Sequence, residues 1–181
     1  MNRTVLLVRH TEVARRWHGR CYGVRDAGLS RDGDAHARAF VPELARWRPD
    51  RVVHSGLRRS SRLAVAVGLT AGCIVTADPN WRERDFGAWE GLSWRTIYRT
   101  SGNAMDGMID APASFRPGGG ETTAELAARA VAALAGLPPG RTLVVAHGGT
   151  IAAVLGDRDA LPVPAWLALV PAYGGTVEIA A

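Results

Sequence analysis

The sequence predicts a three-layer α/β sandwich, with a mainly parallel central sheet and helices on both of its faces. Strand-like and helix-like segments alternate along the chain, which argues for a parallel sheet covered on both sides. The best strand candidates, TVLLV at 4–8 and TLVVA at 142–146, are continuous apolar runs rather than alternating ones, as strands buried on both faces require. A length of 181 residues, with 47% hydrophobic and 22% charged residues, is that of one compact domain, here taken as 1–181.

The elements follow in order. Thr4 to Val8 reads as a buried strand that stops at Arg9-His10. After a glycine-dotted loop from Gly19 to Gly28, Ser30 can cap a helix. Its apolar positions, Ala35, Ala39, Phe40, Leu44 and Trp47, keep helical spacing, and Pro49 stops it. Arg51 to His54 is a brief second strand, Leu57 to Val67 a second helix ending near Gly68, and Cys73 to Ala77 a third strand closed by Pro79. The less regular stretch of about 94–120 is read as a lid or insertion over the sheet. Glu121 to Leu137 forms an amphipathic helix, Thr142 to Ala146 a fourth strand ending at His147, and a short helix runs from Thr150. A last strand falls near Val177 to Ala180.

Composition narrows the function. The formal net charge is +5, and all 22 basic residues are arginine. Arginine favours forked contacts to phosphate or carboxylate, although wholesale loss of lysine is also what compositional drift produces. No basic stripe with interleaved aromatics is present, so a nucleic-acid partner is not expected and a small anionic substrate is. No apolar run reaches the roughly 18–20 residues of a membrane span, and the opening residues meet charge before a signal-type core can form. The expectation is a cytoplasmic protein without a membrane partner. Cys21 and Cys73 form no CxxC pair and read as reduced packing residues, with no metal site and no cofactor. No feature decides the oligomeric state.

Ligands of such sheets gather at the carboxyl ends of strands. His10 and His147 each directly follow an apolar strand, so a parallel arrangement brings both to one sheet edge. Four constellations carry chemistry: Arg9-His10-Thr11-Glu12; Ser55-Gly56-Leu57-Arg58-Arg59; WRERDFGAWEG at 81–91, with Glu83, Asp85 and Glu90; and His147-Gly148-Gly149-Thr150. Paired glycines before a helix offer unpaired N–H groups to an anion, and cations in a helix's first turn call for a nearby negative partner. Each has a bland counterpart, a strand-to-helix turn or a solvated loop.

Together, LLVRHTE, SGLRR, WRERDFGAWEG and AHGGT resemble the histidine phosphatase superfamily, also called phosphoglycerate mutase-like, over about residues 4–155. The resemblance implies that His10 is the nucleophile, that Arg9, Arg59, His147 and Gly148 bind phosphate, with Arg58 the lesser alternative to Arg59, and that Glu83 is the proton donor. Attack by neutral His10 would give a phosphohistidine. Arg9, Arg59 and a protonated His147 would hold the non-bridging oxygens. Glu83 would protonate the leaving oxygen and then activate water. No step needs a metal.

Thr11 stands where the family has glycine. A β-branched residue tolerates positive φ poorly, so an ordinary φ is expected there, with the hydroxyl available to the phosphate. The family's later asparagine has no counterpart in EVARRW, where Arg15 or Arg16 is a stand-in. The strings RHT, GRCYG, RERDFGAWEG and FRPGGGET resemble the α-ribazole phosphatase branch, implying a nucleotide-like 5′-phosphate of cobalamin nucleotide-loop assembly as substrate. Glu121 is then a candidate for a substrate hydroxyl, and Trp17, Tyr22, Trp89 or Trp94 for stacking on a base; a packing role stands beside each. Alternatives are a phosphatase of another small sugar or nucleoside phosphate, a phosphoglycerate-type mutase, and a non-catalytic phosphate sensor. Mutases of the family carry longer insertions and a covering tail, which favours hydrolysis here.

Overall fold

A computed structural model describes residues 3–180. Five strands form one sheet in the order β3-β2-β4-β1-β5. These are β1 (Arg3–Arg9), β2 (Arg51–His54), β3 (Ile74–Ala77), β4 (Gly140–Ala146) and β5 (Thr176–Ala180). All pairings are parallel except that of β5, which runs antiparallel to β1 at one edge.

Side chains on β1 alternate between two cores, because successive Cβ atoms point to opposite faces of a strand. Val5 and Leu7 pack with α5 (Thr123–Ala135) and α6 (Gly148–Arg158), through Ala130, Ala133, Ile151 and Val154. Leu6 and Val8 pack with α1 (Arg31–Arg46) and α2 (Arg58–Ala71), through Ala37, Val41, Leu44, Leu63 and Val67. The result is the expected three-layer α/β architecture.

Boundaries moved where local chemistry differs from the pattern. Ser30 does cap α1, its side chain accepting from the Gly33 N–H. That helix carries Pro42 internally and ends at Arg46, before Pro49. Helix α2 runs past Gly68 and stops at Gly72, whose φ of 69° supplies the left-handed turn. Gly68 serves packing instead: a Cβ there would lie 2.1 Å from Val75 Cγ2, so its absence lets α2 approach β3. Thr122, with Glu125 in a reciprocal capping box, starts α5 two residues after Glu121. Helix α6 begins at Gly148 rather than Thr150.

The stretch of 94–120 contains α3 (Trp94–Ser101), a 3₁₀ segment at Gly102–Asp106, the short α4 (Gly107–Asp110) and a turn at Pro117–Gly119. A longer 3₁₀ segment, Val163–Leu169, follows α6. No described helix is long and apolar enough to cross a membrane. Both cysteines are free thiols, Cys21 buried and Cys73 partly so.

Candidate active site

Parallel register brings the two histidines together. Strands β1 and β4 are neighbours with Arg9 opposite Ala146, so the residue after each strand, His10 and His147, meets the other at the carboxyl edge. Their ring centroids are 5.1 Å apart, and both rings are almost completely buried. Strand β2 flanks β4 on its other side, so Ser55, the residue after β2, meets His147. Helix α2 then opens at Arg58, which puts Arg59 in its first turn and fully buried.

Hydrogen bonds assign the protons. His10 Nδ1 lies 2.7 Å from the Thr11 carbonyl, which can only accept. Nδ1 therefore carries the hydrogen, and Nε2 keeps its lone pair. His147 Nδ1 accepts from Arg59 Nε at 3.2 Å, and its Nε2–H donates to Ser55 Oγ at 2.7 Å. The chain continues to Ser60 Oγ at 2.7 Å and ends on the Leu57 carbonyl at 2.8 Å. Burial, reinforced by the Arg59 guanidinium, pushes the His10 pKa down to about 3. The same two causes hold His147 well below the ordinary imidazole range. The expected cationic His147 is thus corrected: an arginine donating to its Nδ1 leaves no room for a second proton.

A cavity of about 260 Å³ is lined by His10, Glu83, four arginines (Arg9, Arg20, Arg59 and Arg84), Tyr22, Gly23, Phe86, Trp94 and Gly149. Four guanidinium groups against one carboxylate make this wall strongly attractive to an anion. His147 lies behind His10 and is not part of the wall. The Arg9 guanidinium sits 4.2 Å over the Tyr173 ring and donates to the Pro171 carbonyl at 2.6 Å, while its buried Nε has no protein partner. Arg59 lies over Tyr22 and donates to the Gly23 and Arg25 carbonyls. The two tyrosine hydroxyls are hydrogen-bonded to each other at 2.8 Å, which joins the two cation–aromatic stacks into one unit.

Glu83 is held by backbone donors. Its Oε2 accepts from Gly149 N and its Oε1 from Arg84 N, both at 2.9 Å. A Cβ on Gly149 would stand 2.4 Å from Oε1, so glycine is required for the carboxylate to lie against the start of α6. Glu90, the last acid of the same motif, accepts from Val24, Arg25 and Phe86 N–H groups. It thereby shapes the loop whose carbonyls hold Arg59.

Several expected ligands are placed elsewhere. Thr11 has an ordinary φ, being absent from the positive-φ residues, but its hydroxyl donates to the Gly33 carbonyl at 2.7 Å and ties the loop to α1. Glu121 forms a two-pronged ion pair with Arg129. Arg129 in turn donates to the carbonyls of Asn80, Arg82 and Glu83, so the pair props the segment carrying Glu83. Trp89 packs on Phe115 and Trp17 beside Tyr22, neither on the cavity wall. Arg15 and Arg16 are exposed. Gly148 opens α6 and packs against Arg9: a Cβ there would lie 3.2 Å from Arg9 Cζ. Among the described residues, no three His, Cys, Asp or Glu side chains cluster as a metal-ligand set.

The sequence assigns no role to Ser55, Arg20, Arg84 or Phe86, although they stand within the SGLRR, GRCYG and WRERDFGAWEG strings, and it does not point to Tyr173. Ser55 was legible by the rule that selected the histidines, since it too directly follows a strand. Tyr173 lies on the turn before β5, and no local signal points to it.

Comparison with known proteins places these features in a family. The profile of the Histidine phosphatase superfamily (branch 1) matches residues 5–179. A glucosyl-3-phosphoglycerate phosphatase of Mycobacterium tuberculosis is 32% identical over 185 residues, covering 96% of this chain and 81% of that protein. The native structure of a mycobacterial glucosyl-3-phosphoglycerate phosphatase superposes with a TM-score of 0.88 at 30% identity, covering 99% of this chain and 91% of that one. The α-ribazole phosphatase of Shigella flexneri shares the fold, with a TM-score of 0.85 at 21% identity over 97% of this chain and 89% of that one.

Proposed function

The chain belongs to branch 1 of the histidine phosphatase superfamily and is a phosphatase, and we propose that it hydrolyses a small phosphomonoester through a phosphohistidine formed on His10, without a metal. The observation that carries this reading is the neutral His10 ring, with Nε2 unprotonated, set in a cavity wall that also presents Arg9, Arg59 and Glu83.

Nε2 of His10 donates its lone pair to phosphorus and the P–O ester bond breaks. The electron pair leaves on the alcohol oxygen, which takes a proton from Glu83 in its carboxylic-acid form, leaving the carboxylate. Water then attacks the phosphohistidine, giving its proton to the Glu83 carboxylate as the P–N bond breaks, and inorganic phosphate leaves. Arg9 and Arg59 bind the non-bridging oxygens, where fixed cations need no reorganisation as charge shifts. His147 acts in its neutral form, orienting Arg59 through its Nδ1. Buried imidazoles supply a nucleophile at neutral pH because protonation, which would remove the lone pair, is suppressed.

A sugar-type monophosphate is the substrate class supported by the 32% identical relative, itself a glucosyl-3-phosphoglycerate phosphatase. A nucleotide-like 5′-phosphate such as α-ribazole 5′-phosphate is the second reading, favoured by Tyr22, Phe86 and Trp94 in the cavity wall. Purified wild type and His10→Ala, assayed with chelator present, decide both levels. The panel holds glucosyl-3-phosphoglycerate, α-ribazole 5′-phosphate, nucleoside monophosphates, sugar phosphates and phosphoglycerates. Wild type releases free phosphate, and His10→Ala falls by more than about a thousandfold. Retained release by His10→Ala, or a requirement for added metal, overturns the mechanism; an isomerised ester in place of free phosphate indicates a mutase.

A further inference from the structure

A second cavity, of about 360 Å³, adjoins the first, and Arg84 and Gly149 stand in the walls of both. Its character is different. Met105, Met108 and Ile109 from the 94–120 stretch face Val163, Trp166 and Val170 from the segment after α6. Leu126, Ala152 and Leu167 complete its apolar wall, and Asp106 and Thr123 stand with Arg84 as its polar members. The Trp166 indole is locked: its N–H donates to the Leu161 carbonyl at 2.9 Å, and Gly156 makes room for the ring, since a Cβ there would stand 2.2 Å from Nε1. The wall is therefore preformed rather than collapsed, and its volume falls in the range of small-molecule sites.

Gly149 links this chamber to the chemistry. Its N–H holds the Glu83 carboxylate, and a proton can pass from Glu83 only to an oxygen within hydrogen-bond reach. The leaving oxygen accordingly stands within reach of Glu83, close to Gly149, which lines both cavities. On the premise of the phosphatase reading above, we propose that the second cavity is the leaving-group subsite and selects phosphate esters whose alcohol carries an apolar or aromatic body. For a sugar-type ester that body is the aglycone. Fully hydroxylated sugar phosphates gain nothing from this wall. The two methionines suit a body of variable shape, because their unbranched side chains adapt to what they contact.

Unbranched alkyl monophosphates from ethyl to hexyl test the proposal, because the leaving alcohols have nearly equal acidity and differ only in apolar length. Wild type is expected to gain roughly three- to fourfold in kcat/KM per methylene that enters the chamber. Ile109→Asp, at its partly exposed mouth, and Ala152→Leu, which fills it, are both expected to flatten that slope; thermal unfolding verifies that each variant is folded. A wild-type slope of zero with ethyl phosphate still hydrolysed overturns the subsite and leaves the phosphatase reading intact. Folded variants that retain the wild-type slope overturn the subsite equally. If wild type releases phosphate from no ester at all, it is the phosphatase reading that fails.

Discussion

Deleting one oxygen, by Ser55→Ala, tests the network behind the two histidines. Ser55 Oγ is fully buried, accepts from His147 Nε2–H at 2.7 Å and passes its own proton to Ser60 Oγ at 2.7 Å. Without it the imidazole N–H has no acceptor, and a buried donor left unpaired costs about 1–3 kcal/mol. For a chain of 181 residues, a loss of about 2 kcal/mol lowers Tm by roughly 4–8 °C. The functional effect follows from the other nitrogen. Once Nε2–H loses its acceptor, moving the proton to Nδ1 sets an N–H against the Arg59 Nε–H, and the guanidinium must shift. A displacement on the order of 1 Å in a phosphate-holding group costs up to about 100-fold in rate. Ser55→Ala should therefore lose about 10- to 100-fold in kcat, with thermal unfolding as the second readout and ¹⁵N NMR of the imidazole reporting the tautomer. A variant with unchanged Tm, unchanged kcat and the wild-type Nε2–H tautomer refutes the relay.

Two further expectations follow from the same geometry. His10 and His147 are neutral when folded but protonate near 6.5 when unfolded, so the unfolded chain gains protons the native state does not. Stability is thus full above pH 6.5 and is lost on acidification below it, for His10 down to about 3, by up to about 1.4 kcal/mol per pH unit for each ring; urea unfolding at pH 7.5, 6.5 and 5.5 should show it, and a flat profile contradicts it. Gly149→Ala introduces a Cβ 2.4 Å from Glu83 Oε1 while gaining helix propensity, so the fold should survive and the carboxylate should move. Hydrolysis of an alkyl phosphate, which needs the proton, should fall at least about tenfold more than that of 4-nitrophenyl phosphate, whose leaving group does not. Equal losses on both esters would remove Glu83 from the proton-donor role.

The continuous apolar runs TVLLV and TLVVA sufficed to read β1 and β4 as buried parallel strands, and from that alone the residues after them, His10 and His147, had to share a sheet edge. Helix ends were less legible. Gly68 looks like a stop in one dimension but is a contact with Val75 across the α2–β3 interface, and no local pattern records which strand a helix will cover.

Residue type, spacing and strand polarity are properties of the chain, and they determined the fold class, the meeting of the histidines and the family. Proton placement was decided by partners distant in sequence: Arg59 and Ser55 hold His147 neutral, 88 and 92 positions away. Likewise Glu121 went to Arg129, the Thr11 hydroxyl to Gly33, and Tyr173 came to lie over Arg9. A side chain's hydrogen-bonding capacity is written in its identity, but which partner claims it depends on which elements the folded layers bring within about 3 Å.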